Sequence, residues 1–326
     1  MKQFSLSNAW SLGLGHFSGK AAGHAILLIG LGILVPMALQ IGLAGGAVGM
    51  MNPATMGQNA LAGMAGLGGL LLIAMLLTYL LQMASYFGSW RLGFADESLG
   101  GATGYGLLAG LVAIVAFGVL IVLMVLIGMQ LQGAGAAVLV MLLFLIPLML
   151  LFAALYPVAM AAVAVGMFLV LLIVAAFGSS MGAMNPALAM TGGGAIGLVV
   201  GFVLALLLMW AAVRLSCTTS VMADRGTVNL LAGISESWRM TATNQWRIMA
   251  YLALIGIVLC VLLFVFAMVV GAGMMAGARS GNVPAMGTGT MIVSIVFAIP
   301  FAYLTVLIPA GIYRELRGPP AAEVFA

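Results

Sequence analysis

Apolar residues in this chain run in long, nearly unbroken stretches, with no alternation and no single helical face. The stretches are 21–45, 67–89, 105–131, 196–213, 248–271 and 290–312. Crossing roughly 30 Å of hydrocarbon takes about 20 apolar residues in a helix, so the pattern predicts a membrane span from each. A further stretch, 136–177, is too long for one crossing. Tyr156-Pro157 lies near its centre, and proline disfavours helix in the residue before it. Read as two short helices, 136–155 and 158–177, this stretch brings the prediction to eight spans. Read as a re-entrant hairpin, it leaves six with the same polarity. The expected fold class is all-α, a polytopic transmembrane helix bundle in which 1–326 form a single transmembrane domain.

Two segments follow a different rhythm. Leu6, Trp10, Leu14 and Phe17 recur every three or four residues, as do Leu231, Ile234, Trp238 and Ala242. That spacing keeps one face of a helix apolar. It predicts interfacial helices lying flat before a span, with Trp10, Lys20, Trp238, Arg239, Trp246 and Arg247 as candidates for the headgroup layer. Among these, Arg239 and Arg247 are the ones suited to an anionic lipid head.

Composition turns the pattern into a statement about solvent. Hydrophobic residues make up 65% of the chain and charged residues 5%, where a soluble domain carries about 25% charged residues. Six acids and ten bases cannot cover the surface of a soluble fold of this length. The bases are also scattered, which excludes a nucleic-acid footprint, since that requires clustering on one face.

The placement of the bases predicts orientation. With the N-terminus inside and an even number of crossings through 136–177, nine of the ten Lys/Arg are cytoplasmic and only Arg279 is outside. A single crossing there would leave four inside and six outside, against the positive-inside bias. The expected location is the bacterial inner membrane, with both termini cytoplasmic and 319–326 as a cytoplasmic tail. The first apolar run begins after Lys20 and exceeds a signal-peptide core, so no cleaved leader is expected.

Three predicted outside loops share a texture. Gly49-Met50-Met51-Asn52-Pro53-Ala54 and Gly182-Ala183-Met184-Asn185-Pro186-Ala187 have a looser echo in Gly281-Asn282-Val283-Pro284-Ala285-Met286. Asn-Pro initiates turns, which makes Asn52, Pro53, Asn185, Pro186 and Pro284 the turn motifs of three related hairpins. The repeat-like units are 1–95, 96–215 with 136–177 inserted, and 216–318. Small residues four apart mark close helix contacts: Ala38, Gly42 and Gly46; Gly106 and Gly110; Gly193, Gly197 and Gly201. Such contacts are internal or between copies. The candidate partners are therefore membrane lipids and a second copy of the chain.

Chemistry enters mainly by exclusion. No Asp, Glu, Lys, Arg or His stands between Glu97 and Arg214, so a proton relay or ion path lacks its usual parts. No two carboxylates are placed for catalysis. His16 and His24 have no acidic or cysteine neighbour to complete a metal site, and interfacial hydrogen bonding is expected of both. Methionine, 26 in all, is a soft ligand, yet it is as dense in the spans, where it packs as a flexible hydrophobe. No catalytic residue, metal or cofactor is expected. The two Asn-Pro-Ala triplets resemble the aquaporin motif, but Leu188 stands where that family carries arginine. The predicted topology also sets both triplets on one side, where no paired filter forms. Pro36, Pro147 and Pro300 lie deep in predicted spans and would kink or open them.

Arg214-Leu215-Ser216, Ile234-Ser235-Glu236-Ser237-Trp238-Arg239-Met240-Thr241, Asn244-Gln245-Trp246-Arg247 and Ile312-Tyr313-Arg314-Glu315-Leu316-Arg317-Gly318 together resemble a bacterial integral-membrane family. That family is the membrane domain of glycerophosphoryl diester phosphodiesterases, which also occurs alone. The resemblance covers 214–318 and implies an inner-membrane helical fold. The acidic metal-binding residues of the catalytic domain have no counterpart, and the family's usual six spans imply an extra hairpin here. Two functions remain in view. One is a non-enzymatic protein that organises lipid or assembles with itself; the other is a transporter or channel for a neutral or amphiphilic solute.

Overall fold

The computed structural model describes residues 3–50, 56–95, 97–130, 146–182, 193–280 and 283–318. Every regular element among them is helical. Six helical segments are long and apolar enough to cross a membrane: Ala21–Gly42, Leu72–Phe94, Leu99–Ile127, Val199–Arg225, Gln245–Ala272 and Ile292–Arg317. This is the make-up of a multi-pass membrane protein. The segments overlap the six apolar runs, and several continue into basic ends at Arg91, Arg214, Arg314 and Arg317.

The long seventh run holds two shorter apolar helices, Ile146–Leu155 and Pro157–Ile173, interrupted at Tyr156 as Pro157 requires. The Tyr156 N–H closes the last turn on the Phe152 carbonyl at 2.7 Å, and its own carbonyl accepts the first bond of the next helix from Met160 at 2.9 Å. Proline suits the first helical position, where its missing N–H is not needed.

Contacts group the chain into two compact units. One is Met1–His16, Leu145–Val221 and Asn229–Ala326; the other is Phe17–Phe144 with Met222–Val228.

The first unit contains α1 (Leu6–Gly15), α6 (Ile146–Leu155), α7 (Pro157–Gly182), α8 (Gly193–Leu215), α10 (Leu230–Thr241), α11 (Gln245–Ser280) and α12 (Val283–Arg317). Helix α7 lies against α8, with the Phe168 ring edge-on to Phe202 at 5.1 Å. It also meets α11, where the Cys260 thiol bonds the Ala162 carbonyl at 3.4 Å. Helix α1 docks on the last turns of α12. Gly311 meets the Ala9 carbonyl with no room for a side chain, and a methyl on Gly13 would come within 2.7 Å of the Leu307 carbonyl. Asn8 donates to the Glu315 carboxylate, and Arg314 donates to the Leu12 carbonyl at 3.4 Å.

The other unit opens with α2 (Ala21–Ala25) and a π-helical stretch, Ile26–Leu34, that runs straight into α3 (Val35–Met50). The Val35 N–H reaches five residues back to the Gly30 carbonyl. Pro36 follows; a helical proline offers no N–H and presses on the carbonyl four residues earlier. A widened turn relieves that clash. At Pro36, where a kink or an opening was expected, the helix is wider and unbroken.

Helix α4 (Met56–Phe94) and α5 (Leu99–Gln130) form an antiparallel hairpin. Gly106 of α5 sits directly on the Ala84 carbonyl, and a methyl on Gly110 would lie 3.1 Å from Met83 Cβ. Below them Leu27, Leu92 and Ala102 form a small core with Leu31 and Leu99. Arg91 ties the 222–228 segment to this unit, where α9 (Thr218–Arg225) ends. It donates to the carbonyls of Ala223 at 2.8 Å and Asp224 at 3.2 Å, orphans of a helix end. Its Nε pairs with Glu97 at 2.7 Å, and Tyr105 donates to the Thr227 carbonyl at 3.0 Å.

Both histidines are buried, which corrects the interfacial role expected of them. His24 faces α4, with Nδ1 2.6 Å from Ser89 Oγ and the Phe17 ring edge-on at 4.7 Å. His16 follows the last turn of α1 and caps it through its N–H.

Candidate functional site

The two amphipathic segments both form helices, and each uses small residues to face the protein. In α1 the buried positions are Ala9 and Gly13; in α10 they are Gly233, Ser237 and Thr241. Small side chains allow backbones to approach closely. The large apolar residues are left on the outside: Leu14 is 51% exposed and Leu231 77%, with Leu6, Trp10 and Trp238 also exposed. Apolar faces of this size are at home in lipid and not in water. Phe17, the last residue of the first predicted stripe, lies beyond α1 and packs on His24.

Helix α10 is held at the end of α8 by two hydroxyls. Ser237 Oγ accepts from the Cys217 N–H at 3.1 Å and donates to the Arg214 carbonyl at 2.9 Å. Thr241 Oγ1 reaches the same Arg214 carbonyl at 3.4 Å, besides donating to the Ser237 carbonyl at 2.9 Å within α10. Above this clamp, Trp210 and Arg214 lie four residues apart on α8 and share a face. The Arg214 guanidinium lies 4.4 Å from the Trp238 ring centre and 5.9 Å from that of Trp210. The two indoles meet edge to face at 4.9 Å. Stacking of this kind stabilises a desolvated cation, as does its place in the last turn of α8.

A cleft of about 140 Å³ opens beside this stack, lined by Trp210, Val213, Gln245, Trp246 and Met249. Gln245 and Trp246 begin α11. Trp246 is 71% exposed. Besides the indoles of Trp210 and Trp246, Gln245 brings a polar side chain to the lining.

No family model, curated protein or solved structure matches this chain. Geometry alone carries the functional reading.

The headgroup candidates divide into two sets. Trp10, Trp238, Trp246 and Arg239 are exposed. Lys20, half-buried, and Arg247, exposed like the others, also bond the chain itself: Lys20 donates to the carbonyls of Ala95 at 3.1 Å and Glu97 at 3.4 Å. Arg247 donates to the Phe4 carbonyl at 3.2 Å and Gln3 Oε1 at 2.8 Å.

Of the helix-contact candidates, Gly106 and Gly110 meet α4, and a methyl on Gly201 would touch the Leu171 side chain at 3.0 Å. Ala38 and Gly42 are exposed, and among the described residues nothing lies within 4 Å of a Cβ placed on Gly42. Gly46, Gly193 and Gly197 lie within helices. Asn52, Pro53, Asn185 and Pro186 fall outside the described residues, and Pro284 sits in the first turn of α12. Among the described residues, no three of His, Cys, Asp and Glu gather where a metal ion would be held.

The apolar pattern does not mark Trp210, Arg214, Gln245 or Met249 as residues of a site. A readable signal existed in the Trp210-x-x-x-Arg214 spacing at the end of an apolar run, which places ring and cation on one helix face.

Proposed function

We propose that this is a non-enzymatic multi-pass protein of the bacterial inner membrane that organises lipid or assembles with itself. The observation that carries the reading is the outward apolar face of α1 and α10, each anchored to the protein by small residues. In this reading 136–177 crosses twice, for eight spans in three related hairpins, with both termini cytoplasmic. Kinship with the membrane domain of glycerophosphoryl diester phosphodiesterases, on the motifs within 214–318, belongs to the same proposal.

Self-assembly draws support from Ala38 and Gly42, exposed one turn apart on a helix face open to close approach. The test is gel filtration in mild detergent. Gly42→Leu is expected to move the protein from an assembly to the size of a single chain; an unchanged elution position sinks the self-assembly part. The second reading, a path for a neutral solute, is favoured by the π-helical stretch Ile26–Leu34 within the first candidate span. Uptake of a neutral solute by proteoliposomes above the rate of empty vesicles would establish it.

A further inference from the structure

The contacts of α1 with α12 run along one line. Ala9 and Gly13 meet Gly311 and Leu307, Asn8 donates to Glu315, and Arg314 donates to the Leu12 carbonyl. A helix of ten residues is too short to hold its shape alone in water. One held by a single neighbour can also rock about the line of contact. A second support comes from α11.

Phe4 stands just before Ser5, the N-cap of α1. A hydrophobic residue there ordinarily packs on the fourth residue of its own helix and fixes the entry angle. Here that fourth residue is Ala9, and the buried Phe4 ring lies instead 6.0 Å from the buried ring of Tyr251. The Phe4 N–H donates to Asn244 Oδ1 at 3.1 Å, although an asparagine at a helix start ordinarily turns that oxygen on its own first turn. Arg247 completes the grip with its fork. One nitrogen donates to the Phe4 carbonyl at 3.2 Å and the other to Gln3 Oε1 at 2.8 Å. Asn244, Arg247 and Tyr251 are three and four residues apart and share one face of the chain as it enters α11. Both backbone groups of Phe4 and its ring are thus held.

The grip bears on what α1 shows to its surroundings. Two residues after Phe4 begins the exposed row Leu6, Trp10 and Leu14. Next around the helix stand Ser7 and Ser11, also exposed. A roll of one position, about 100°, would exchange the two rows.

We propose that Asn244, Arg247 and Tyr251 form a clip for Phe4 that holds α1 with Leu6, Trp10 and Leu14 toward lipid, which makes Arg247 a positioning residue and not a headgroup ligand. This deepens the lipid-facing reading of α1 and rests on it.

The test uses the full-length protein with Cys217→Ala and Cys260→Ala, carrying one nitroxide on a cysteine at Trp10 or at Ser11. Vesicles are of phosphatidylcholine, with or without phosphatidylglycerol. Relaxation by oxygen, set against relaxation by a water-soluble nickel chelate, is expected to be greater at position 10 than at 11. Arg247→Gln and Phe4→Ala, which remove different parts of the clip, are each expected to erase that difference in both vesicles. The contrast between nitroxides at Leu231 and Ser235 on α10 is expected to persist, which separates a turned α1 from a misfolded protein. A difference between 10 and 11 that survives either variant overturns the clip and leaves the lipid reading standing. So does a loss confined to the anionic vesicles, which would return Arg247 to the headgroups. Loss at α1 and α10 together overturns a local clip. Equal relaxation at 10 and 11 in the parent overturns the lipid reading of α1 and the proposal with it.

Discussion

Ser237 satisfies two backbone groups with one hydroxyl, the Cys217 N–H and the Arg214 carbonyl, at a place with no access to water. Ser237→Ala leaves both buried groups without that partner, at a cost of about 1–3 kcal/mol. The expected outcome is a lower Tm in detergent, together with loss of the Trp238 contact to Arg214. A Tm equal to the parent's would show that α10 is held by its packing alone. Nothing in the sequence singled out Ser237, which reads as part of a polar helix face. Trp238 and Arg239 were legible because aromatic and basic residues near a span have a known preference for the interface. That Arg247, exposed like Arg239, is also bonded to residues 3 and 4 was not. Those bonds are tertiary contacts between residues 243 and 244 positions apart.

For the helices, existence was far easier to read than facing. The apolar runs and the break at Tyr156-Pro157 predict elements that the structure contains, since length and proline act locally. Which face of α1 or α10 meets the protein is decided by competition. In water, Leu6 and Leu14 would be buried first; beside lipid they need no protein cover, and Ala9 and Gly13 can take the contact. Helix α10 gives a direct measurement. A nitroxide on a cysteine placed at Leu231 is expected to be relaxed more by oxygen than by a water-soluble nickel chelate, and one at exposed Ser235 the reverse. Equal accessibility at both positions would put α10 in water and remove the main support for a lipid-facing role. The π-helical stretch shows the same limit from another side. Pro36 was readable as a disturbance, but whether a proline kinks or widens a helix depends on neighbours such as Ser85, which crowds Gly32.

At the level of the whole molecule, hydropathy made the six candidate spans plain, and charge asymmetry adds a prediction about sidedness. Reporter fusions truncated after Glu97, Tyr156 and Asn244 are all expected to report the cytoplasm; a periplasmic signal after Tyr156 would rule out a double crossing of 136–177. What the sequence hid is the grouping of distant segments. Residues 222–228 belong with Phe17–Phe144 because Arg91 caps carbonyls more than a hundred positions away, and no local pattern announces that. The docking of α1 on α12 is more distant still, and it bears on the order in which the protein can be made. Ala9 and Gly13 leave the ribosome about 300 residues before Gly311 and Leu307; at about 5–20 residues per second that is a wait of about 15–60 s. The helix made first among these therefore receives its partner last. Through that interval any stable resting place for α1 must come from outside the chain, and a bilayer surface that takes up Leu6, Trp10 and Leu14 would hold the Ala9–Gly13 face ready until translation delivers α12.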